Sequence, residues 1–187
     1  MPLTLKQITE TISFMDEKYD ANFEDWIKNE DNCKIVGCNL KKYIESYRES
    51  EFITVVKWVV KDWTLKSIII FSKKMIIEDL FVASPELYAR KVKILSGLIY
   101  TWSPIFTSEF LIACTAELTS NQRIDFMVCV LSVFDSKKLS EILSQLENKL
   151  DPQTKKDLVK KFKDSIYSPN SNQWKRTSSM LESYNIM

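Results

Sequence analysis

Residues 84–152 read SPELYARKVKILSGLIYTWSPIFTSEFLIACTAELTSNQRIDFMVCVLSVFDSKKLSEILSQLENKLDP, and the polar residues that punctuate this stretch decide the fold. Ser84-Pro85, Ser103-Pro104, Thr119-Ser120, Asp135-Ser136 and Asp151-Pro152 each read as a helix start, and Ser168-Pro169 repeats the pattern. At such a start the side-chain oxygen accepts from an N–H that the first turn leaves unpaired, and proline in the first helical position gives up no hydrogen bond. Successive starts are 19, 16, 16, 16 and 17 residues apart. Between them run apolar stripes of helical period: Tyr88, Val92, Leu95, Ile99 and Trp102, then Leu139, Ile142, Leu143, Leu146 and Leu150. Residues 110–118 and 124–134 are apolar on nearly every side, which places those helices inside a stack. Helices of about four turns joined by turns this short fold back antiparallel on their neighbours.

Two such helices make a unit of roughly 32–35 residues, the scale of helical-hairpin arrays. The resemblance to HEAT and armadillo repeats is one of rhythm only, because no side-chain signature recurs and the tetratricopeptide pattern is absent. The expected fold is all-α, with seven to nine short antiparallel helices stacked as hairpins. A compact helical bundle of the same helices fits the caps almost as well. Residues 1–167 read as one helical domain, with acidic helices over 1–32 and the stacked core over 40–167. Residues 168–187 read as a linker (SPNSNQ) and a weak last helix or tail.

Toward the N-terminus the pattern loosens. Leu5, Ile8, Ile12, Met15 and Tyr19 share one helix face, and Phe23, Trp26 and Ile27 suggest a short second helix. Residues 29–39 (NEDNCKIVGCN) read as a loop, with Gly37 free to take a positive φ. Leu40, Tyr43, Ile44 and Tyr47 then form a third face. Residues 52–61 and 64–82 are rich in β-branched side chains, so a strand competes there. Period 2 is not sustained, and Lys57, Lys61 and Lys66 recur every four or five residues, which favours helix.

Composition narrows the chemistry. The chain has 187 residues, 45% of them hydrophobic, with a net charge of +1, so it is too apolar and too nearly neutral to remain disordered. It contains no histidine, which removes Ser-His-Asp triads, Cys-His pairs, HExxH zinc sites and any imidazole base. Two glycines, Gly37 and Gly97, cannot build a phosphate-cradling loop. Cys33 and Cys38 lack a second pair to complete a zinc site, and Cys114 and Cys129 sit in apolar runs as small core side chains. The most apolar stretch, 63–82, is interrupted by Lys66, Lys73, Lys74, Glu78 and Asp79 and is no membrane span. No secretory signal is visible, so the expected setting is intracellular, cytoplasmic or nuclear, with reduced thiols. Neither a metal nor a cofactor is expected.

Three groups of residues remain as candidates for function. Asp16, Asp20 and Glu24 are spaced at i, i+4 and i+8, but an acidic strip of this kind is ordinarily a solvated face. Residues 1–32 hold three lysines against eight acids, a charge of −5, and residues 151–187 carry +3. Lys155, Lys156, Lys160, Lys161 and Lys163 share one helix opposite Leu158, Val159, Phe162 and Ile166, so they form either a solvent face or a track for nucleic acid. Five tryptophans exceed what a core of this size needs. Trp102 continues a core stripe. Trp58 and Trp63, beside Lys57, Lys61 and Lys66, suggest an aromatic and basic ridge, and Trp174 in the polar tail suggests a docked tail or a partner contact.

The reading that follows is a non-enzymatic interaction module, a scaffold or adaptor subunit of a larger complex. It would hold a peptide or helix of another protein, or a sister subunit, in a groove between helices. The expected contacts are Trp58, Trp63, Lys57, Lys61 and Trp174. Two alternatives stand beside it: a nucleic-acid-associated scaffold using the helix at 155–163, and a compact bundle that sequesters a partner helix. An enzyme working with carboxylates or lysine alone is the least favoured.

Overall fold

A computed structural model describes residues 28–165, and every regular element in that range is helical. The α-helices are α1 (Glu30–Lys41), α2 (Glu49–Val59), α3 (Leu65–Ser72), α4 (Pro85–Ile99), α5 (Pro104–Cys114), α6 (Ser120–Leu131), α7 (Ser136–Glu147) and α8 (Pro152–Ser165). Between α3 and α4 lie a π-helical turn, Lys73–Ile77, and a 3-10 turn, Leu80–Val82. The expected all-α fold is therefore present, and among the described residues no strand forms. The β-branched stretches at 52–61 and 64–82 form helix and helical turns instead of strands, and in α2 the buried residues Phe52, Val56 and Val59 follow the helical period.

The caps read from sequence are in place. Ser84 Oγ accepts from the Leu87 N–H at 3.2 Å, Ser103 Oγ from Phe106 at 3.3 Å and Thr119 Oγ1 from Gln122 at 3.3 Å. Asp135 and Asp151 accept from Lys138 and Thr154, each at 2.9 Å. Gln122 reaches back to the Thr119 N–H at 3.1 Å and completes a capping box. Pro85, Pro104 and Pro152 open their helices as expected. Ser168 lies outside the described residues, as do the stripe from Leu5 to Tyr19 and the helix suggested around Trp26.

Two expectations near the N-terminus are corrected. Residues 30–39 belong to α1, with Asn29 as its cap, and are not a loop. Asn29 caps this helix by accepting from the Asp31 N–H at 3.0 Å, Glu30 and Asp31 suit its positive end, and Cys33, Val36, Gly37 and Leu40 make its buried face. Gly37 serves close approach rather than a turn. A Cβ there would lie 2.8 Å from the Phe71 carbonyl oxygen, so α1 meets the end of α3 backbone to backbone. The third face at 40–47 is likewise no separate helix: α1 ends at Lys41 and a turn follows, although Ile44 and Tyr47 remain buried.

The chain divides into two compact units, Met1–Leu98 and Ile99–Met187. In the first unit α1 packs on α3 and on the π-helical turn. That turn is closed by the Glu78 N–H donating to the Lys73 carbonyl at 2.9 Å, and Met75, Ile76 and Ile77 are buried in succession. In the second unit α7 packs on α5 and α8 on α6, the stacking of two consecutive hairpins. Lys149 ties α7 to Glu109 of α5 at 3.5 Å, and Lys161 of α8 pairs with Asp125 of α6 at 3.0 Å. Arg123 closes the end of α5 by donating to the carbonyls of Thr115 and Ala116, each at 3.2 Å. Phe110, Leu111, Phe126, Met127, Val130, Leu131, Leu139 and Ile142 fill the interior of this unit. None of the four cysteines is in a disulfide; Cys33 and Cys114 are buried, and Cys38 and Cys129 are half-buried.

Gly37→Ala is expected to lower stability by about 1–3 kcal/mol, the usual cost of overpacking, because the obstacle is a backbone carbonyl. Gly97→Ala should cost less. Its nearest obstacle is Cδ1 of Ile53 at 2.6 Å, the end of a side chain that can rotate, and alanine regains up to about 1 kcal/mol of helix propensity. Urea unfolding of the two variants checks this order.

Candidate interaction surface

Helix α2 buries Phe52, Val56 and Val59, spaced for one face. Trp58 points away from that face and is 56% exposed, the one tryptophan among the described residues that stands out in this way. Thr54, one turn earlier, is exposed on the same side; Lys57 is half-buried beside it, and Lys61 is exposed in the turn that follows.

Trp63 does not join this ridge. It is only 6% exposed, with its ring edge-on to Phe71 at 5.6 Å. The cause is local. The Trp63 N–H donates to the Val60 carbonyl at 3.1 Å, and Thr64 Oγ1 accepts from the Ser67 N–H at 3.2 Å to start α3. The chain therefore reverses between Trp58 and Trp63 and places one outside and the other inside. Trp102 is half-buried against the edges of Phe106 and Phe110, at 4.8 and 5.2 Å. Trp174 lies outside the described residues, as does the acidic strip of Asp16, Asp20 and Glu24.

An open groove of about 530 Å³ runs between the turn before α2 and the first turns of α4. Its walls include Glu45, Glu49, Glu86, Leu87, Arg90 and Lys93. Lys93 pairs with Glu49 at 3.4 Å, and Arg90 Nε donates to the Ile44 carbonyl. The groove is thus charged and largely self-neutralised, not lined by aromatic and aliphatic anchors. It also begins at Glu49, the first residue of α2, while Trp58 lies about 14 Å further along the helix axis.

The first unit also holds a buried ionic cluster. Lys91 is 1% exposed and donates to Asp79, which Lys41 also contacts at 2.9 Å. Burial pushes the Asp79 carboxyl up, but the two ammonium groups outweigh it and hold it below the usual carboxylate range. The cluster ties the end of α1, the turn before α4, and α4 itself into one unit. Its signal was present in the sequence: Lys91 falls three residues after Tyr88 and four before Leu95, on the stripe that faces the core.

On α8, Leu158, Val159 and Phe162 are buried as expected. Lys156, Lys160 and Lys161 are exposed and Lys155 is half-buried; for Lys163 only the place in α8 is described. Asp157 and Asp164 interrupt this face, and Lys161 is already paired with Asp125. Among the described residues no three Cys, Asp or Glu side chains gather where a metal ion could be held, and no helix is long and apolar enough to cross a membrane. No protein-family model, curated protein or solved structure matches the chain.

Asp79→Asn should cost about 3 kcal/mol at neutral pH, the low end for breaking a buried pair, because it strands the Lys91 ammonium. A carboxyl depressed in the folded state contributes fully above its unfolded value of about 4 and loses that contribution as pH falls through the lower folded value. The wild-type protein should therefore lose stability below about pH 4 more steeply than Asp79→Asn, as read by urea unfolding across pH.

Proposed function

We propose that this protein is a non-enzymatic interaction module, a scaffold or adaptor subunit that holds a segment of another protein. The observation that carries the proposal is the exposed Trp58, set beside Lys57 and Lys61 on a helix whose opposite face is core. Holding a tryptophan in water forgoes about 2 kcal/mol of burial, and tryptophans are enriched among the residues that dominate binding energy. The lysines suit a partner segment with acidic residues flanking an apolar one. With no histidine in the chain, an imidazole acid or base is unavailable, which also favours binding over catalysis. The proposal places the protein inside the cell, in cytoplasm or nucleus, with its four thiols reduced.

The anchor differs from the pair read in sequence. Trp63 supports the fold from within, so among the described residues Trp58 carries the surface with Lys57 and Lys61.

The test compares wild-type protein and Trp58→Ala as bait in a lysate treated with nuclease. Proteins retained by the wild type should be lost by Trp58→Ala, while its stability changes by no more than about 0.5 kcal/mol, as for other surface changes. Trp63→Ala should instead lose about 3–5 kcal/mol through an unfilled core site. Identical retention by wild type and Trp58→Ala would contradict the proposal. So would retention that collapses with nuclease, which would shift the contact to the lysines of α8.

A further inference from the structure

The second unit carries an arrangement that neither its packing nor the Trp58 surface requires. Tyr100, in the turn between α4 and α5, stacks on Phe134, in the turn between α6 and α7, with ring centroids 5.7 Å apart and planes 5° from parallel. Lys138 lies across both rings, its Nζ 5.5 Å from the Tyr100 centroid and 5.1 Å from that of Phe134. The same ammonium donates to the Tyr100 carbonyl, and the Lys138 backbone N–H is held by Asp135 at 2.9 Å. Both the backbone and the head group of this lysine are therefore fixed. Yet among the described residues no carboxylate forms an ion pair with it.

Exposed apolar side chains stand on the segments that hold this cation. Tyr100 is 50% exposed, Val133 adjoins Phe134 in the chain and is also exposed, and Ile105 stands exposed in the first turn of α5. Single exposed apolar residues are ordinary, but Tyr100 and Val133 belong to two turns that the stack holds together.

We propose that Tyr100, Val133 and Lys138 form a second docking surface, one that takes a peptide segment bearing a carboxylate next to a large apolar side chain. The carboxylate completes the unpaired ammonium in a charge-assisted hydrogen bond, and the apolar side chain covers the exposed face of Tyr100 and the neighbouring valine. Lys138 has already lost its rotamer freedom to the two rings and the carbonyl, so binding costs little further ordering. A peptide fits better than a nucleic acid. Val133 and Ile105 offer aliphatic contacts rather than further stacking faces for bases.

The experiment pans a random peptide library against the full chain and measures the enriched synthetic peptides by fluorescence anisotropy. Enriched peptides should share an Asp or Glu within two residues of a large apolar residue. They should bind about tenfold more weakly to Tyr100→Ala and Lys138→Gln, the scale of one lost anchor. Lys138→Arg should retain binding because it keeps the cation, and Trp58→Ala should not alter it, which separates this surface from the one proposed above. Thermal melts of each variant establish that weakened binding is not unfolding. Failure to enrich any peptide, enrichment without an acidic residue, or equal affinity for folded Lys138→Gln would overturn the proposal. So would tight binding of a single-stranded oligothymidylate that is lost in Tyr100→Ala.

Discussion

The second unit depends on one constraint: its helices are joined by turns of four or five residues, at 100–103, 115–119, 132–135 and 148–151. A chain leaving one helix has no length in which to travel and must fold back on itself. The caps that close these turns contribute about 1 kcal/mol each, whereas burying one Leu or Phe contributes about 2–3 kcal/mol. The caps therefore fix where each helix begins, and the apolar interior supplies the energy. With starts set by Ser103, Thr119, Asp135 and Asp151, Phe110, Phe126, Leu139 and Phe162 are covered as α5 stacks on α7 and α6 on α8.

The first unit solves the same problem with less regular means. Backbone contact at Gly37 lets α1 approach α3 too closely for any side chain between them. The expanded turn at Lys73–Ile77 lets three consecutive side chains turn inward, and the Lys41–Asp79–Lys91 cluster joins three segments. A buried ammonium is a weak source of net stability because desolvation offsets its attraction to Asp79. Its effect is on specificity, since any packing that separates Lys91 from Asp79 leaves a buried charge unpaired.

These differences explain what was legible in the sequence. Caps and stripes in 84–152 are local signals, written in residues that lie next to one another, and they foretold α4 to α8. Residues 29–39 misled because asparagine, glycine and two cysteines resemble loop composition. Their actual organisation, Cys33, Val36 and Leu40 around a contact glycine, requires knowing that α3 lies opposite. Trp58 and Trp63 were read as one ridge because both neighbour lysines, but the turn that ends α2 and the Thr64 cap that starts α3 separate them in space. Lys91 was legible as a charge on a core stripe; its partner Asp79, twelve residues earlier, was not, because the intervening turns do not follow a helical period. The exposed ring of Tyr100 and its lysine were hidden for the same reason, since they meet across 38 residues of chain.

On the proposed reading, the outward face of α2 is where another protein is held. Hydrogen–deuterium exchange of the full chain, alone and saturated with a protein it retains after nuclease treatment, tests that claim by location. The account expects new protection to centre on residues 52–62, strongest around Trp58 and Lys61. Protection confined to 152–165, or none in the first unit, would contradict it.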